Sequence, residues 1–365
     1  MNIPLEAYIY IARDLSAKEE LASLCRVSKG FRNAAERILY NTLHMRGVTR
    51  TRRICRSLTD SPRLAALVDA VSIDVPTSDT NSNSSETPRS DEYWDLIARA
   101  LRQMRRLRFL NVSIDDSADM AHAWVLGACA FQLRTFHCDF SWDKDLVAFL
   151  NTQHSLTDLY ILDFQNDTRN RTISLTTQSL PKLSILECTF MEAATTLANN
   201  RSLSRLKTCF SASDVPGKRL ELMALMKNLR RSRKTLRALD IADSAYSSDF
   251  SLDILTRVND FLSSQYLRYL GTLTLPVDGR ERIKFYGLLM RLPRLQCVEL
   301  EVTDWDPPPM SPAALRALVY ELRLYCPSVT TIIFVYDMDR VVMRMVDHRC
   351  VLEQDASPDM LWREV

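Results

Sequence analysis

Nine short segments of this chain share one pattern: apolar, two variable positions, apolar, one variable position, apolar. They are LRFLNV from Leu107, LRTFHC from Leu133, LTDLYI from Leu156, LSILEC from Leu183, LSRLKT from Leu203, LRALDI from Leu236, LGTLTL from Leu270, LQCVEL from Leu295 and VTTIIF from Val329, some only approximately. The alternation at the end of each segment puts the fourth and sixth side chains on one face of an extended chain, so each predicts a short strand. The first five starts lie 26, 23, 27 and 20 residues apart, with helix-period stretches between them. A unit of one strand and one helix cannot bury its apolar face alone, so such units must stack on their neighbours. The expected fold is α/β, with parallel strands joined by helices. An ordinary α/β sheet is the alternative that strand–helix alternation by itself allows.

At 365 residues the chain is too long for one small core, and two domains or an elongated array fit its length. A hydrophobic fraction of 46% and a charged fraction of 25% are those of an ordinary globular protein, and a net charge of +2 creates no global field for nucleic acid or acidic lipid. Nine cysteines with no C-x-x-C pair read as reduced core residues of an intracellular protein, cytoplasmic or nuclear. Glu6 and Arg13 interrupt the apolar pattern of the N-terminus, which therefore does not read as a secretory signal. No apolar run approaches the roughly 20 residues that span a bilayer. Triplets such as Asn166-Asp167-Thr168 are accordingly expected to carry no glycan.

The N-terminal stretch predicts three short helices. Leu5, Ile9, Ala12 and Leu15 recur at helical spacing behind Pro4, Ser16 is placed to cap a helix carrying Leu21, Leu24 and Val27, and Phe31, Ala34, Ala35, Ile38 and Leu39 supply a third stripe. A joint follows, with Arg46, Arg50, Arg52, Arg53 and Arg56 close together before a helix starting near Ser61-Pro62. Val71, Ile73 and Val75 then alternate as a strand does. Thr77 to Ser90 holds no large apolar residue and predicts a loop; Ser90 is placed to cap a helix from Asp91 to about Arg105. Towards the end, Ser311-Pro312 opens a helix to about Tyr325, and RVVMRMVD with RCVLEQD predicts a closing hairpin across Asp347-His348.

Ile3-Pro4-Leu5-Glu6, Leu15-Ser16 and Val27-Ser28-Lys29-Gly30-Phe31-Arg32 resemble the F-box. The stretch between Leu15 and Val27 is one residue longer than the usual pattern, and Ser28 stands where cysteine is common. The resemblance implies that the module binds a Skp-type adaptor and, through it, the cullin of an SCF-type ubiquitin ligase, with Pro4, Leu5, Ile9, Leu15, Leu21, Leu24, Val27 and Phe31 as adaptor contacts. A plain helical cap on the following domain is the alternative. The repeated segments resemble a degenerate leucine-rich-repeat array, with unit length drifting and Phe164 and Met191 where that family keeps asparagine or cysteine. The joint resembles that of basidiomycete F-box proteins. Together these imply a three-helix module over 1–46, a joint helix and first strand over 47–76, a loop over 77–90 and a leucine-rich-repeat-like solenoid over 91–365.

No residue pattern points to catalysis. The five histidines are dispersed, His137 and Cys138 point to opposite faces of a strand, and Gly-rich phosphate loops and nucleophile elbows are lacking, so neither metal nor cofactor is expected. Asp115-Asp116 and Asp304-Trp305-Asp306 are acidic pairs without the burial that would divide their roles. The basic run from Lys227 to Arg237 spans a predicted helix end and turn, where cations face the helix dipole. What remains is a binding protein: a substrate receptor of a ubiquitin ligase, or an interaction scaffold without one. Arg108, Tyr160, Glu187 and Asp240 lie between framework positions and are expected on the open face of the strands, against a target protein.

Overall fold

The computed structural model describes residues 4–15, 17–75, 91–115, 120–162, 175–176, 178–261, 264–309, 311–337 and 339–365. The predicted loop Thr77–Ser90, the Ser16 and Ser90 caps, Asp116, Phe164 and the Asn166 triplet lie outside them. The chain divides into two compact units, Met1–Pro181 and Lys182–Val365.

The first unit opens with three helices, α1 (Leu5–Arg13), α2 (Lys18–Leu24) and α3 (Lys29–Asn41). It continues with β1 (Thr42–Arg46), α4 (Val48–Asp60), α5 (Pro62–Ala65), β2 (Ala70–Val75), α6 (Asp91–Gln103), β3 (Phe109–Ile114), β4 (Thr135–Cys138), α7 (Lys144–Asn151) and β5 (Asp158–Ile161). All five strands pair in parallel with their neighbours in sequence. A 3-10 turn at Ala123–Leu126 takes the place of a helix between β3 and β4.

The second unit holds β6 (Ile185–Cys188), α8 (Met191–Ala198), β7 (Arg205–Cys209), α9 (Val215–Leu229), β8 (Ala238–Ala242), α10 (Ser248–Phe261) and β9 (Tyr269–Thr274). It ends with α11 (Gly279–Leu289), β10 (Cys297–Glu301), α12 (Pro312–Tyr325), β11 (Thr331–Tyr336), β12 (Asp339–Val346), β13 (Arg349–Leu352) and α13 (Leu361–Glu364). β6 to β11 are parallel and sequentially ordered; β12 and β13 are antiparallel. The hairpin between them turns at Asp347 and His348, both with left-handed φ (47° and 65°), which is the type I′ geometry that matches strand twist.

All nine segments singled out in the sequence form strands, and a recurring hydrogen bond fixes their equivalence. The N–H at position 3 donates to the carbonyl at position 2 of the preceding unit: Thr135 to Arg108, Asp158 to Arg134, Arg205 to Ser184, Ala238 to Ser204, Tyr269 to Arg237, Cys297 to Arg268 and Thr331 to Gln296. This pattern makes two corrections. Arg268 is a position 2, so the unit of β9 begins at Leu267 and not Leu270; a bulge at Gly271–Thr272, opposite Glu299, shifts the later alternation by one residue. Phe109 donates to Asp69, and Asp69 to Asn41, so the same frame extends back to Val68 and Tyr40. β1 therefore lies inside the stretch read as wholly helical.

Positions 1, 4 and 6 are filled by side chains such as Leu110, Phe136, Leu159, Leu186, Leu206, Leu239, Leu270, Val298 and Ile332, all buried. Sequential parallel strands joined by right-handed crossovers keep every connecting helix on one side of the sheet, so these rows and the helices share one apolar layer. Side chains anchor the turns into that layer. Asp143, Asp214 and Asp278 cap α7, α9 and α11, and Ser311 caps α12 by accepting from the Ala314 N–H at 3.2 Å. In the second unit the Lys218 ammonium on α9 forms a buried ion pair with Asp243, just past β8. Removing one partner strands the other charge, so Lys218→Met is expected to destabilise this unit by about 3–5 kcal/mol in urea unfolding, and adding Asp243→Leu to recover most of that loss.

Candidate functional site

The N-terminal module is a small packed body. Ala12, Leu21, Ala34 and Ala35 form its buried centre, with Tyr8, Ile9, Leu15, Leu24, Ile38 and Leu39 around it. Tyr8 meets Phe31 edge-on at 4.7 Å, and a Cβ on Gly30 would lie 2.6 Å from the Tyr8 ring, so glycine is what lets α1 and α3 approach. The Ser28 hydroxyl accepts from the Phe31 N–H at 3.2 Å and caps α3, which gives serine a structural role where cysteine would supply no comparable acceptor. α2 starts behind Ala17 without a side-chain cap. The module is tied to the first strands by a bidentate pair between Glu36 on α3 and Arg63 on α5, at 2.5 and 3.0 Å.

The predicted adaptor residues separate into two groups. Ile9 and Leu21 turn into the module's own centre, and half-buried Phe31 packs on Tyr8. Leu15, Leu24 and Val27 instead converge with Glu19, Glu20 and Ser23 around an open depression of about 530 Å³. Val27 is 66% exposed, and Tyr10 and Ile11 of α1 are exposed as well. Pro4 is exposed at the N-cap of α1; the Leu5 side chain lies outside the described residues.

The side of the sheet away from the crossover helices carries positions 3 and 5. In the first unit Asn111, His137 and Tyr160 stand in register at position 5, with the His137 ring 5.7 Å from Tyr160 and 5.9 Å from Phe109. Tyr160 is thus on the expected face, in an aromatic row. Arg108 is not in that row: it occupies position 2, before its strand, with its guanidinium 3.7 Å from Asp69.

In the second unit Glu187, Lys207 and Asp240 stand in register at position 5, with Lys207 Nζ 4.0 Å from Glu187 and 3.7 Å from Asp240. Glu299 occupies the same row on β10, accepts from the Tyr269 hydroxyl at 2.8 Å and pairs with Arg340 at 3.1 Å. The sequence places Glu187 and Asp240 on an open face. They are on that face, and it is covered. The chain returns after β13, makes a 3-10 turn at Pro358–Met360 and lays α13 across β8 and β9. Leu361 and Trp362 pack against Ala238, Tyr269, Cys297, Ile333 and Val342. Asp240 is left 2% exposed, pressed so closely on β9 that a Cβ on Gly271 would lie 2.0 Å from its carboxylate. Sequence reasoning missed this cover because a four-residue helix has no period to detect.

All nine thiols are free, and burial pushes those of Cys55, Cys129 and Cys188 up to about 12, where they are poor nucleophiles. Among the described residues no cluster of histidine, cysteine and carboxylate is placed to hold a metal, and no helix is long and apolar enough to cross a membrane. The basic run closes α9 as expected and lines, with Phe261 and Leu267, a hollow of about 160 Å³. Comparison with family models and with curated proteins finds no match.

Burial, reinforced by the charge of Glu299, pushes the Asp240 carboxyl up to about 7 despite Lys207. Between about pH 4 and pH 7 the folded chain therefore keeps a proton that the unfolded chain has released, so this site favours folding fully below that window and no longer above it. Thermal unfolding at pH 5 and pH 8 is expected to show a lower midpoint at pH 8, with a smaller difference in Asp240→Asn; equal differences in the two proteins would contradict the assignment.

Proposed function

We propose that this chain is a substrate receptor of an SCF-type ubiquitin ligase, in which the N-terminal module holds a Skp-type adaptor and a leucine-rich-repeat-like array binds a target protein. The observation that carries the reading is the convergence of Leu15, Leu24 and Val27 at an accessible depression on the N-terminal module. Exposed Val27 beside the partly buried Leu15 and Leu24 offers an apolar surface of the kind that partners bind. Glu19 and Glu20 at the rim favour a partner with basic residues beside its apolar ridge. The strand–helix repeats and their polar position-5 rows support the second half, since an extended stacked sheet offers a long binding surface.

Catalysis in this scheme belongs to other ligase subunits. The receptor raises the effective concentration of a target lysine near the charged ubiquitin carrier, and contributes no bond-making group of its own. A second reading, an interaction scaffold whose first helices only cap the array, draws on the Glu36–Arg63 pair and on the direct passage of α3 into β1. The two part on adaptor capture. Co-purification with a Skp-type adaptor should be stoichiometric for the wild type and fall at least tenfold for Val27→Asp, a change at an exposed position that leaves the circular dichroism melt in place. Absence of capture by the folded wild type would leave the scaffold.

A further inference from the structure

The helix-free face of the second unit already holds a peptide, and that peptide is the chain's own residues 357–365. We propose that this face is a peptide-binding site whose built-in occupant is displaced by a target segment of the same chemistry: an aliphatic residue and a tryptophan side by side, followed by arginine. The proposal deepens the target-binding half of the reading above and does not depend on the adaptor half.

The contacts are those of a bound ligand. Leu361 and Trp362 fill an apolar hollow between Ala238, Tyr269, Cys297 and Val342, and Trp362 is 1% exposed. Polar contacts flank them. Arg363 Nη2 lies 2.8 Å from Glu187 and its guanidinium stacks over the Trp362 ring at 4.7 Å, while Arg205 Nη2 donates to the Val365 carbonyl at 2.5 Å. Arg340 holds Asp359 at the other end. The charges of Arg237 and Arg268 also bear on Arg205, so the site favours a hydrogen-bond acceptor or an anion after the arginine.

Leu361 and Trp362 are buried with the surrounding core, but the segment that carries them is short. Its helix has four residues, too few to be stable unless docked, and mostly exposed residues from Val351 to Ser357 lead into it. The fit is also incomplete. Trp362 Nε1 is buried without an acceptor, and Asp240 Oδ1 on β8, a strand that α13 contacts, is buried without a hydrogen-bond donor, among the described residues. Unpaired polar atoms weaken the segment's hold, and a partner that satisfied them would have the advantage. Beneath the segment the face carries the Glu187–Lys207–Asp240 row, which an apolar core has no reason to contain and a surface that reads charge does.

The test uses the full chain and a fluorescein-labelled synthetic peptide of residues 356–365. Anisotropy should show binding to the undocked variant Trp362→Asp/Arg363→Glu at least tenfold tighter than to the wild type, whose face is filled. Adding Glu187→Arg to that variant should weaken the peptide at least tenfold, and a peptide with glutamate in place of Arg363 should regain what was lost. A folded variant that ignores the peptide, or binding indifferent to Glu187→Arg, would overturn the proposal. Hydrogen exchange on the wild type tests it without substitution: amides of 359–364 should exchange at least 100-fold faster than those of β8 and β9, and equal protection would make the segment core. Adaptor capture is unaffected in every one of these outcomes if the ligase reading holds, so the two readings fail separately.

Discussion

A parallel strand cannot pair with its successor until the chain has crossed back over the sheet. That requirement shapes everything else here. Each crossover of the same hand returns on the same side, so the apolar residues at positions 1, 4 and 6 always meet the helices, and positions 3 and 5 always meet the opposite space. The position-3 N–H to position-2 carbonyl bond repeats this step at each boundary where it occurs, from Asp69 to Gln296. Unit length is free to vary so long as the crossover closes, which is why a 3-10 turn can stand in for a helix between β3 and β4, and why the bulge in β9 is absorbed locally.

The consequence is a division of labour between two faces. The inner rows carry stability through burial and tolerate little polarity. The outer rows hold the histidine and tyrosine of the first unit and the charged row of the second, beside the apolar cluster of Ala238, Tyr269, Cys297 and Ile333. In the second unit the charged row has a cost, because burial of Asp240, reinforced by the charge of Glu299, drives its carboxyl towards the neutral form.

Much of this was legible in the sequence. The strand segments, the Ser311-capped helix and the Asp347-His348 hairpin follow from local rules, since alternation, capping and left-handed turns need only neighbouring residues. What escaped depended on distance or on a local ambiguity. Tyr40, Leu43 and Met45 continue the apolar stripe of α3 closely enough to hide a strand. Gly271 and Thr272 disguise the true start at Leu267. Arg363 meets Glu187 across 176 positions of chain, and no pattern within a window reveals such a pair. The eight adaptor residues rest on resemblance alone; geometry divides them into core (Ile9, Leu21) and rim (Leu15, Leu24, Val27), which periodicity could not do because both groups occupy one helical stripe.

We propose that the first three helices form a docking module and that the repeats present a binding face of their own. Hydrogen exchange of the full chain with and without a purified Skp-type adaptor puts this to the test. A docking module would show slowed exchange confined to residues within 4–31, with the strands β6 to β11 unchanged. Unaltered exchange throughout, or protection that appears only in the strands, would contradict it.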